Sequence, residues 1–198
     1  TNDPRPGEMS PDLELALRLA DAADAISLAR FRSRDLVVET KPDLTPVTDA
    51  DREVEHELRA MLGAERRRDA ILGEEQGASG SGRRRWIIDP IDGTRNYSRG
   101  VPVWATLIAL EDDGRVALGV VSAPALHRRW WAERGGGAHA GGDVVHVSAV
   151  HRPEDAVLSF ALEQSIPALA GRAWHARGYG DFWSHMLVAE GSVDGAID

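Results

Sequence analysis

Acidic side chains follow two apolar segments in the middle of the chain, each at the point where the segment ends. They are Glu74, Glu75, Asp89 and Asp92. Neighbouring carboxylates at the end of a buried strand repel each other and lose hydration, and a bound cation relieves both penalties. Hard oxygen ligands of this kind favour Mg²⁺ over zinc. The pattern therefore predicts a magnesium site built from strand-end acids.

The sequence around the second pair of acids predicts how they are aimed. The apolar strand at 86–88 is expected to stop at Asp89, and Pro90 fixes the bend that follows. The amide groups of Gly93 and Thr94 come next and are suited to meet an anion, particularly where a helix begins at this point. These residues predict a phosphate-binding turn beside the metal.

A simpler interpretation of the same segment remains open. Asp92-Gly93 is also typical of a turn, and Asp89 could cap the end of a strand without binding a metal. The acidic strand end at Glu74 favours the metal site, because three such acids are hard to attribute to loops alone.

The surrounding sequence predicts alternating helices and strands that position these acids. Apolar spacing and capping residues predict helices at 10–31, 49–62 and 181–189. Thr48 and Asp51 fit an acidic variant of a capping box at the start of the second helix. Strands are predicted at 36–40, 70–72, 86–88, 103–110, 116–122, 129–132, 144–147 and from 156, with a hairpin turn at 112–114 and loops at 41–47 and 77–82.

Composition limits the classes of function. The chain has 23 basic and 32 acidic residues and a formal charge of −9, which argues against nucleic acid as a partner. It has no cysteine, so a metal must use oxygen or imidazole ligands, and its seven histidines lack paired metal spacing. No apolar run is long enough for a bilayer and the first eight residues lack a signal peptide's apolar segment, so no membrane partner and a cytoplasmic location are expected.

Residues 73–75 and 86–94 together resemble the signature of the inositol monophosphatase family. Residues 47–51, 119–121 and 178–191 extend the resemblance over nearly all of the chain after residue 10. It implies an α/β fold, the layered αβαβα sandwich of the sugar phosphatases. The expected organisation is an N-terminal tail at 1–9, an α+β unit with the metal site at 10–148, and an incomplete C-terminal α/β unit at 149–198.

The resemblance also implies roles for individual residues in a phosphatase that uses two or three Mg²⁺ ions. Glu74 and Asp89 would bind the first ion, Asp89 would bridge to the second, and Asp92 and the carbonyl of Ile91 would complete the protein ligands. Thr94 and Asp51 would act with Glu74 in catalysis, and Gly93 and Thr94 would receive phosphate. Substrate contacts are expected from Arg177, Asp181 and Asp198, with Glu75 and Lys41 supporting the metal ligands.

Three of these roles have simpler alternatives in the sequence. Asp51 fits a helix cap as well as a catalytic acid, and Lys41 fits a surface lysine. Asp181 lies four residues before His185 on a predicted helix, so the two also fit a surface pair.

Four further segments resemble the histidinol-phosphate phosphatases of this family from actinobacteria. They are residues 40–51, 100–105, 122–126 and 128–132. Histidinol carries an ammonium and an imidazole, so its pocket is expected to offer acids, for which Asp181 and Asp198 are candidates. Inositol 1-phosphate or another small sugar phosphate is the alternative substrate.

The chain departs from the family pattern at its end. Family members continue to a Trp-Asp pair whose aspartate completes the second metal site, whereas this chain stops at Asp198 and begins with Thr1. A C-terminal truncation is therefore expected, and a noncatalytic fragment of the same fold remains an alternative. A homodimer is expected from the resemblance alone.

Overall fold

The computed structural model describes residues 9–160 and 171–197. The chain divides into two compact units, Thr1–Gly137 and Ala138–Asp198. The predicted tail at 1–9 falls almost wholly outside the described residues, and the unit boundary predicted at residue 148 stays a prediction.

The described elements are α-helices separated by runs of consecutive strands. The helices are α1 (Pro11–Arg30), α2 (Asp49–Glu65), α3 (Thr94–Ser98) and α4 (Asp181–Ala189). The strands are β1 (Val38–Thr40), β2 (Pro46–Thr48), β3 (Ala70–Gly73), β4 (Gly77–Ser79), β5 (Arg84–Asp92), β6 (Ala105–Asp112), β7 (Arg115–Ala123), β8 (Arg128–Glu133), β9 (Gly137–Ala140), β10 (Asp143–Val144), β11 (Val157–Phe160), β12 (His175–Arg177) and β13 (Gly195–Ile197).

The first two helices begin at the capping residues that the sequence predicts. The Ser10 hydroxyl accepts a hydrogen bond from the Leu13 amide at 3.1 Å, which caps α1. Thr48 and Asp51 form a complete capping box at the start of α2. The second helix runs beyond its predicted end at 62, past Gly63 to Glu65, because apolar packing through Leu62 outweighs the cost of one glycine.

In the first unit, six strands lie side by side in the order β4-β3-β5-β6-β7-β8. Strands β3 and β5 are parallel, and the other neighbours are antiparallel. Alternate residues of the three central strands share one buried core with α1 and α2; on the strands they are Trp86, Ile88, Ile108, Leu110, Leu118 and Val120. The two helices therefore fix the position of β5, which carries three of the predicted metal ligands.

Strand β5 is longer than predicted and does not stop at Asp89. Pairing with β6 continues to Asp92 after a shift in register between these two residues. The carbonyl of Pro90, inside this irregular stretch, accepts a hydrogen bond from the Thr106 hydroxyl at 2.7 Å. The Thr106 hydroxyl thus replaces a strand-to-strand hydrogen bond that the register shift removes. Because Thr106 and Pro90 are 16 residues apart, a local sequence pattern could not predict this bond.

A second core cluster holds the irregular end of β5 in place. Ile91 is fully buried with Ala50 and two aromatic residues, Tyr97 and Trp104. The Tyr97 and Trp104 rings meet edge to face with centroids 4.9 Å apart, and the Tyr97 hydroxyl donates to the Ser27 carbonyl at 2.7 Å. Burial of Ile91 fixes the backbone between the two acids that flank it.

The second unit contains a parallel sheet of three short strands in the order β12-β11-β13. Helix α4 begins and ends where the sequence predicts it. At the start of β11, the Asp194 carboxylate accepts a hydrogen bond from the Val157 amide at 2.6 Å. The Ser159 and Ser184 hydroxyls are buried 2.6 Å apart and tie β11 to α4.

Three predicted segments differ from the structure. Two expected loops contain the short strands β2 and β4, each of which pairs with a neighbour in an antiparallel hairpin. The strand predicted at 144–147 reduces to the end of β10. The glycines and prolines of these segments predict turns, but they do not predict the short antiparallel strand pairs next to the turns. In the described part of the chain, no helix has the length and apolar character needed to cross a bilayer.

We predict that Thr48→Ala lowers the free energy of unfolding by about 1 to 2 kcal/mol, because it removes the cap of a buried helix end. Thr48→Ser, which keeps the hydroxyl, should lose less than about half of that amount. Urea unfolding monitored by tryptophan fluorescence measures both. Equal losses in the two variants would mean that the methyl group, rather than the cap, stabilises α2.

Candidate active site

Glu74 and Asp89 lie side by side because each follows one member of a residue pair in the parallel ladder of β3 and β5. Gly73 pairs with Ile88 in the ladder, and the Glu74 amide donates to the Ile88 carbonyl at 3.1 Å. The next residue on each strand is an acid, and the negative charge of Glu74 contributes to the raised pKa of Asp89. The ladder between β3 and β5 therefore places Glu74 and Asp89 at neighbouring positions.

Asp89 lies in an unfavourable environment for a negative charge. Burial raises its pKa to about 9, and the negative charges of Glu74, Asp92 and Asp51 add to the increase. One carboxylate oxygen, Oδ1, is fully buried and has no hydrogen-bond partner. A carboxylate held among three other acids with an unsatisfied oxygen is suited to bind a cation.

Lys41 supplies one positive charge to this cluster. Its ammonium donates to Glu74 Oε1 at 2.8 Å and to Glu75 Oε1 at 2.6 Å. Burial alone would lower the pKa of Lys41, but the two carboxylates outweigh it and raise the pKa well above its ordinary value. The lysine is 19% exposed, so it is part of the cluster and not a free surface side chain.

Asp51 divides its carboxylate between the helix cap and the site. One oxygen accepts from the Thr48 amide at 2.8 Å and from the Thr48 hydroxyl, and the other faces the Thr94 hydroxyl at 3.3 Å. Burial raises the pKa of Asp51 to about 6, hydrogen bonds from Thr48 oppose the shift, and the charges of Glu75 and Glu74 add to it. The structural and the catalytic interpretations of Asp51 are therefore compatible.

The Thr94 hydroxyl has two acceptors and a single hydrogen. It lies 2.9 Å from the Ile91 carbonyl and 3.3 Å from the Asp51 carboxylate. Only one of them can accept its hydrogen fully at a given moment. The side chain can therefore change its donor direction without moving its oxygen.

Helix α3 begins at Thr94, which meets the condition under which these amides were expected to receive an anion. Gly93 precedes it in the left-handed region, with φ of 85° and ψ of 35°. This conformation costs glycine nothing and strains other residues. The first hydrogen bond of the helix joins the Tyr97 amide to the Gly93 carbonyl at 3.0 Å. The amides before Tyr97 therefore have no carbonyl of the helix to donate to.

One feature of the carboxylate cluster favours a bound metal, and another argues against a preformed metal site. The orphaned oxygen of Asp89 calls for a cation. Within residues 9–160 and 171–197, however, no three or more His, Cys, Asp or Glu side chains converge as a ready-made set of ligands. Glu74 instead accepts from Lys41, which neutralises part of the charge. The donor set is all oxygen, which suits Mg²⁺ and not a thiolate-bound or imidazole-bound metal.

The predicted substrate residues belong to the second unit. Arg177 ends β12 and Asp181 begins α4, and both side chains are exposed. Asp181 has a positive φ of 48°, which is uncommon outside glycine. His185 is also exposed, one turn further along α4. Asp198 lies outside the described residues, and the substrate role of all three predicted residues remains a prediction.

One buried acid was missed in the sequence. Glu55 is completely buried on α2, one helical turn after Asp51, and its carboxylate lies beneath the turn that follows β3. The available signal was its position on the apolar face of α2, between Val54 and Leu58. An acid at such a position needs partners, which only the fold identifies.

Comparison with known proteins identifies the group to which this fold and cluster belong. A model of the inositol monophosphatase family matches residues 8–197. The chain belongs to the inositol monophosphatase family. This confirms the resemblance found in the two acidic strand ends.

Several members of the family are similar to this chain over most of its length. The histidinol-phosphatase of Mycobacterium tuberculosis is 52% identical, covering 94% of this chain and 78% of that protein. The histidinol-phosphatase of Streptomyces coelicolor is 51% identical, covering 92% and 76%. Among solved structures, the IMPase of Thermotoga maritima has a TM-score of 0.85 with 30% identity, covering 93% of this chain and 74% of that one. These structures confirm the predicted α/β fold of the family.

The environment of Asp89 predicts an unusual dependence of stability on pH. Because its pKa is about 9 in the folded protein and 3.8 in an unfolded chain, the folded state binds a proton more tightly. Stability without metal should therefore fall as pH rises between these values. We predict that the wild type loses about 2 kcal/mol of unfolding free energy between pH 5 and pH 8 and that Asp89→Asn does not. This loss is smaller than the pKa shift implies for a fully buried carboxylate, because Asp89 is partly exposed.

Urea unfolding at both pH values, in the presence of EDTA, measures this difference. Asp113→Asn is the matched control, since Asp113 is an exposed acid in the turn between β6 and β7. The control should keep the wild-type slope. A wild-type slope in Asp89→Asn as well would show that Asp89 is not the group responsible.

Proposed function

We propose that this chain is a Mg²⁺-dependent phosphatase that hydrolyses histidinol phosphate in histidine biosynthesis. The observation that carries the proposal is Asp89, whose carboxylate lies among the negative charges of Glu74, Asp92 and Asp51 and has one buried oxygen without a hydrogen-bond partner. The choice of substrate is supported by identity above 50% to two histidinol-phosphatases over more than 90% of the chain. A cytoplasmic location and a homodimer belong to the same proposal.

The residues proposed to hold Mg²⁺ are all at the ends of β3 and β5. Glu74 and Asp89 would hold a first ion, and Asp92, with Asp89 and the Ile91 carbonyl, would hold a second. When bound, Mg²⁺ neutralises charge on the phosphate and on the leaving oxygen and lowers the pKa of the attacking water. Glu75 and Lys41 support this set, because the Lys41 ammonium links the Glu74 and Glu75 carboxylates.

Asp51 and Thr94 are proposed to orient and deprotonate the attacking water. If the Ile91 carbonyl is engaged elsewhere, the Thr94 hydroxyl has only Asp51 to donate to, and its oxygen then accepts a hydrogen bond from water. A proton leaving that water can pass through Thr94 to Asp51. A pKa of about 6 at Asp51 suits this role, because the group is mostly ionised at neutral pH yet can hold a proton.

The start of α3 is proposed to receive the phosphate group. The Gly93 and Thr94 amides, with the positive end of this short helix, complement the negative oxygens. The left-handed conformation of Gly93 turns the chain sharply enough to present both groups together. Nothing but the phosphate needs to be recognised here, so substrate choice must come from other residues.

Substrate choice is proposed to lie in the second unit. Histidinol presents a positive ammonium and an imidazole, which acids recognise better than the hydroxyls of inositol. Asp181 is an exposed acid in an uncommon backbone conformation, a feature frequent at ligand sites. Asp198 and Arg177 are the other proposed contacts, the arginine by its suitability for phosphate oxygens.

We predict that kcat/KM for histidinol phosphate exceeds that for inositol 1-phosphate by about 100-fold or more, because a buried polar mismatch costs several kcal/mol. Phosphate release should require Mg²⁺ and stop on addition of EDTA. Asp181→Asn should lower kcat/KM for histidinol phosphate while leaving the inositol ester nearly unaffected. A preference for inositol 1-phosphate would replace the proposed substrate, and a Mg²⁺-binding chain without turnover would favour the noncatalytic fragment.

The pairing of Asp51 with Thr94 predicts non-additive kinetics. Asp51→Asn and Thr94→Ala should each lower kcat by about 100-fold or more with little change in KM, because both act on the attacking water. The kcat of the double variant should lie within about threefold of the kcat of the slower single variant. Steady-state phosphate release measures all three, and multiplied losses in the double variant would mean that the residues act separately.

A further inference from the structure

The carboxylate of Glu55 lies so close to Gly73 that any side chain at position 73 would displace it from its hydrogen bonds. A Cβ atom added to Gly73 would lie 2.1 Å from Glu55 Oε1 and 2.3 Å from its carboxyl carbon. The backbone conformation of Gly73 is an ordinary strand conformation, so glycine is not needed there for its φ. It is needed because a buried charge passes directly beneath the strand end.

The same carboxylate binds the backbone immediately after Gly73. Glu55 Oε2 accepts from the Glu75 amide at 2.7 Å, and Oε1 accepts from the Gln76 amide at 3.0 Å. Two consecutive amides of the turn between β3 and β4 are thus fixed by one side chain. The turn they belong to carries Glu74 and Glu75.

Arg59 completes this arrangement from the next turn of α2. Its guanidinium donates to Glu55 Oε1 at 2.8 Å, to the Gly77 carbonyl and to the Ser79 hydroxyl at 2.8 Å. The arginine therefore binds both the Glu55 carboxylate and the strand that leaves the turn. Together the two side chains hold the turn at both of its ends.

The cost of this arrangement indicates that it has a purpose beyond closing a hairpin. Glu55 is fully buried, and a buried charge is expensive even when paired, so a hydrophobic side chain on α2 would serve packing better. A tight β-turn between β3 and β4 needs no support from a buried acid. What the pair does provide is a fixed distance between α2, which carries Asp51, and the backbone of Glu74.

We propose that Glu55 and Arg59 are positioning residues that hold the Glu74–Glu75 turn in the geometry needed for metal binding. This inference rests on the proposed function, since it assigns a role toward the metal ligands of that site. Their hydrogen bonds go to the backbone of the turn, to each other and to the Ser79 hydroxyl. They act through the backbone, so their loss should weaken metal binding before it unfolds the protein.

Glu55→Gln is the sharpest single test. Glutamine keeps the size of the side chain but replaces one acceptor oxygen with an NH₂ group that must face a backbone or guanidinium donor. We expect Mg²⁺ to bind about 10-fold more weakly, as is usual when support for a metal ligand is lost. Isothermal titration calorimetry with Mg²⁺ alone, without substrate, measures this directly.

A paired substitution separates positioning from packing. Gly73→Ala should be strongly destabilised, because its methyl group collides with the Glu55 carboxylate. Adding Glu55→Ala removes the collision. The double variant should therefore have a higher Tm than the summed Tm losses of the two single variants predict. Its Mg²⁺ affinity should nevertheless stay at least about 10-fold weaker than that of the wild type, since the turn has lost its support. Recovery of both properties together would overturn the inference.

Asp69→Asn is the matched control for lost stability. Asp69 precedes the other end of β3, where its carboxylate binds the Trp86 indole at 3.0 Å and the Arg84 guanidinium at 3.3 Å. This variant should lower Tm while leaving Mg²⁺ affinity unchanged. Wild-type Mg²⁺ affinity in Glu55→Gln would overturn the inference alone. A wild-type chain that neither binds Mg²⁺ nor releases phosphate would overturn the inference and the proposed function together.

Discussion

Mutual repulsion among carboxylates is the constraint around which the first unit is organised. Two parallel strands deliver Glu74 and Asp89 to one place, Asp92 follows within the same irregular strand end, and Asp51 approaches from a helix. A cluster of like charges disperses unless the backbone beneath it is held rigidly. The supports are therefore strong ones: an aromatic cluster around Ile91, a capping box at Thr48, and a buried acid below Gly73. Each fixes a different acid.

Helix α2 links these supports because one of its faces serves the core and the site together. Asp51 and Glu55 are one turn apart, and Arg59 follows after another turn. Val54, Leu58 and Leu62 anchor the helix in the core. Rigid packing of a helix against a sheet is what allows a polar side chain at its end to be placed within a fraction of an ångström. Ordinary hydrophobic packing thus fixes Asp51 and the Glu74–Glu75 turn relative to each other.

The sequence predicted what depends on neighbouring residues and missed what depends on distant ones. Ser10-Pro11 and Thr48 identify helix starts because capping is local, and the position of Glu74 beside Asp89 follows from the pairing of two parallel strands. The continuation of β5 past Asp89 was missed, since it depends on Thr106. The partners of Lys41 lie more than 30 residues away across a hairpin, and those of Glu55 lie across a helix–sheet contact. The proposed contacts of Arg177 and Asp181 with substrate depend on a bound ligand, which neither local sequence nor the fold of the free chain supplies.

The divided carboxylate of Asp51 has an evolutionary consequence. Active-site acids are often retained against stability, so a lineage that no longer needs its chemistry gains by losing them. At Asp51 such a loss would relieve a buried charge but would also uncap α2, and the two effects oppose each other. Asp89 has no comparable structural duty, and one of its oxygens is unsatisfied. Descendants that abandon catalysis while keeping this fold should therefore discard Asp89 early and retain Asp51 long after it has ceased to act on any substrate.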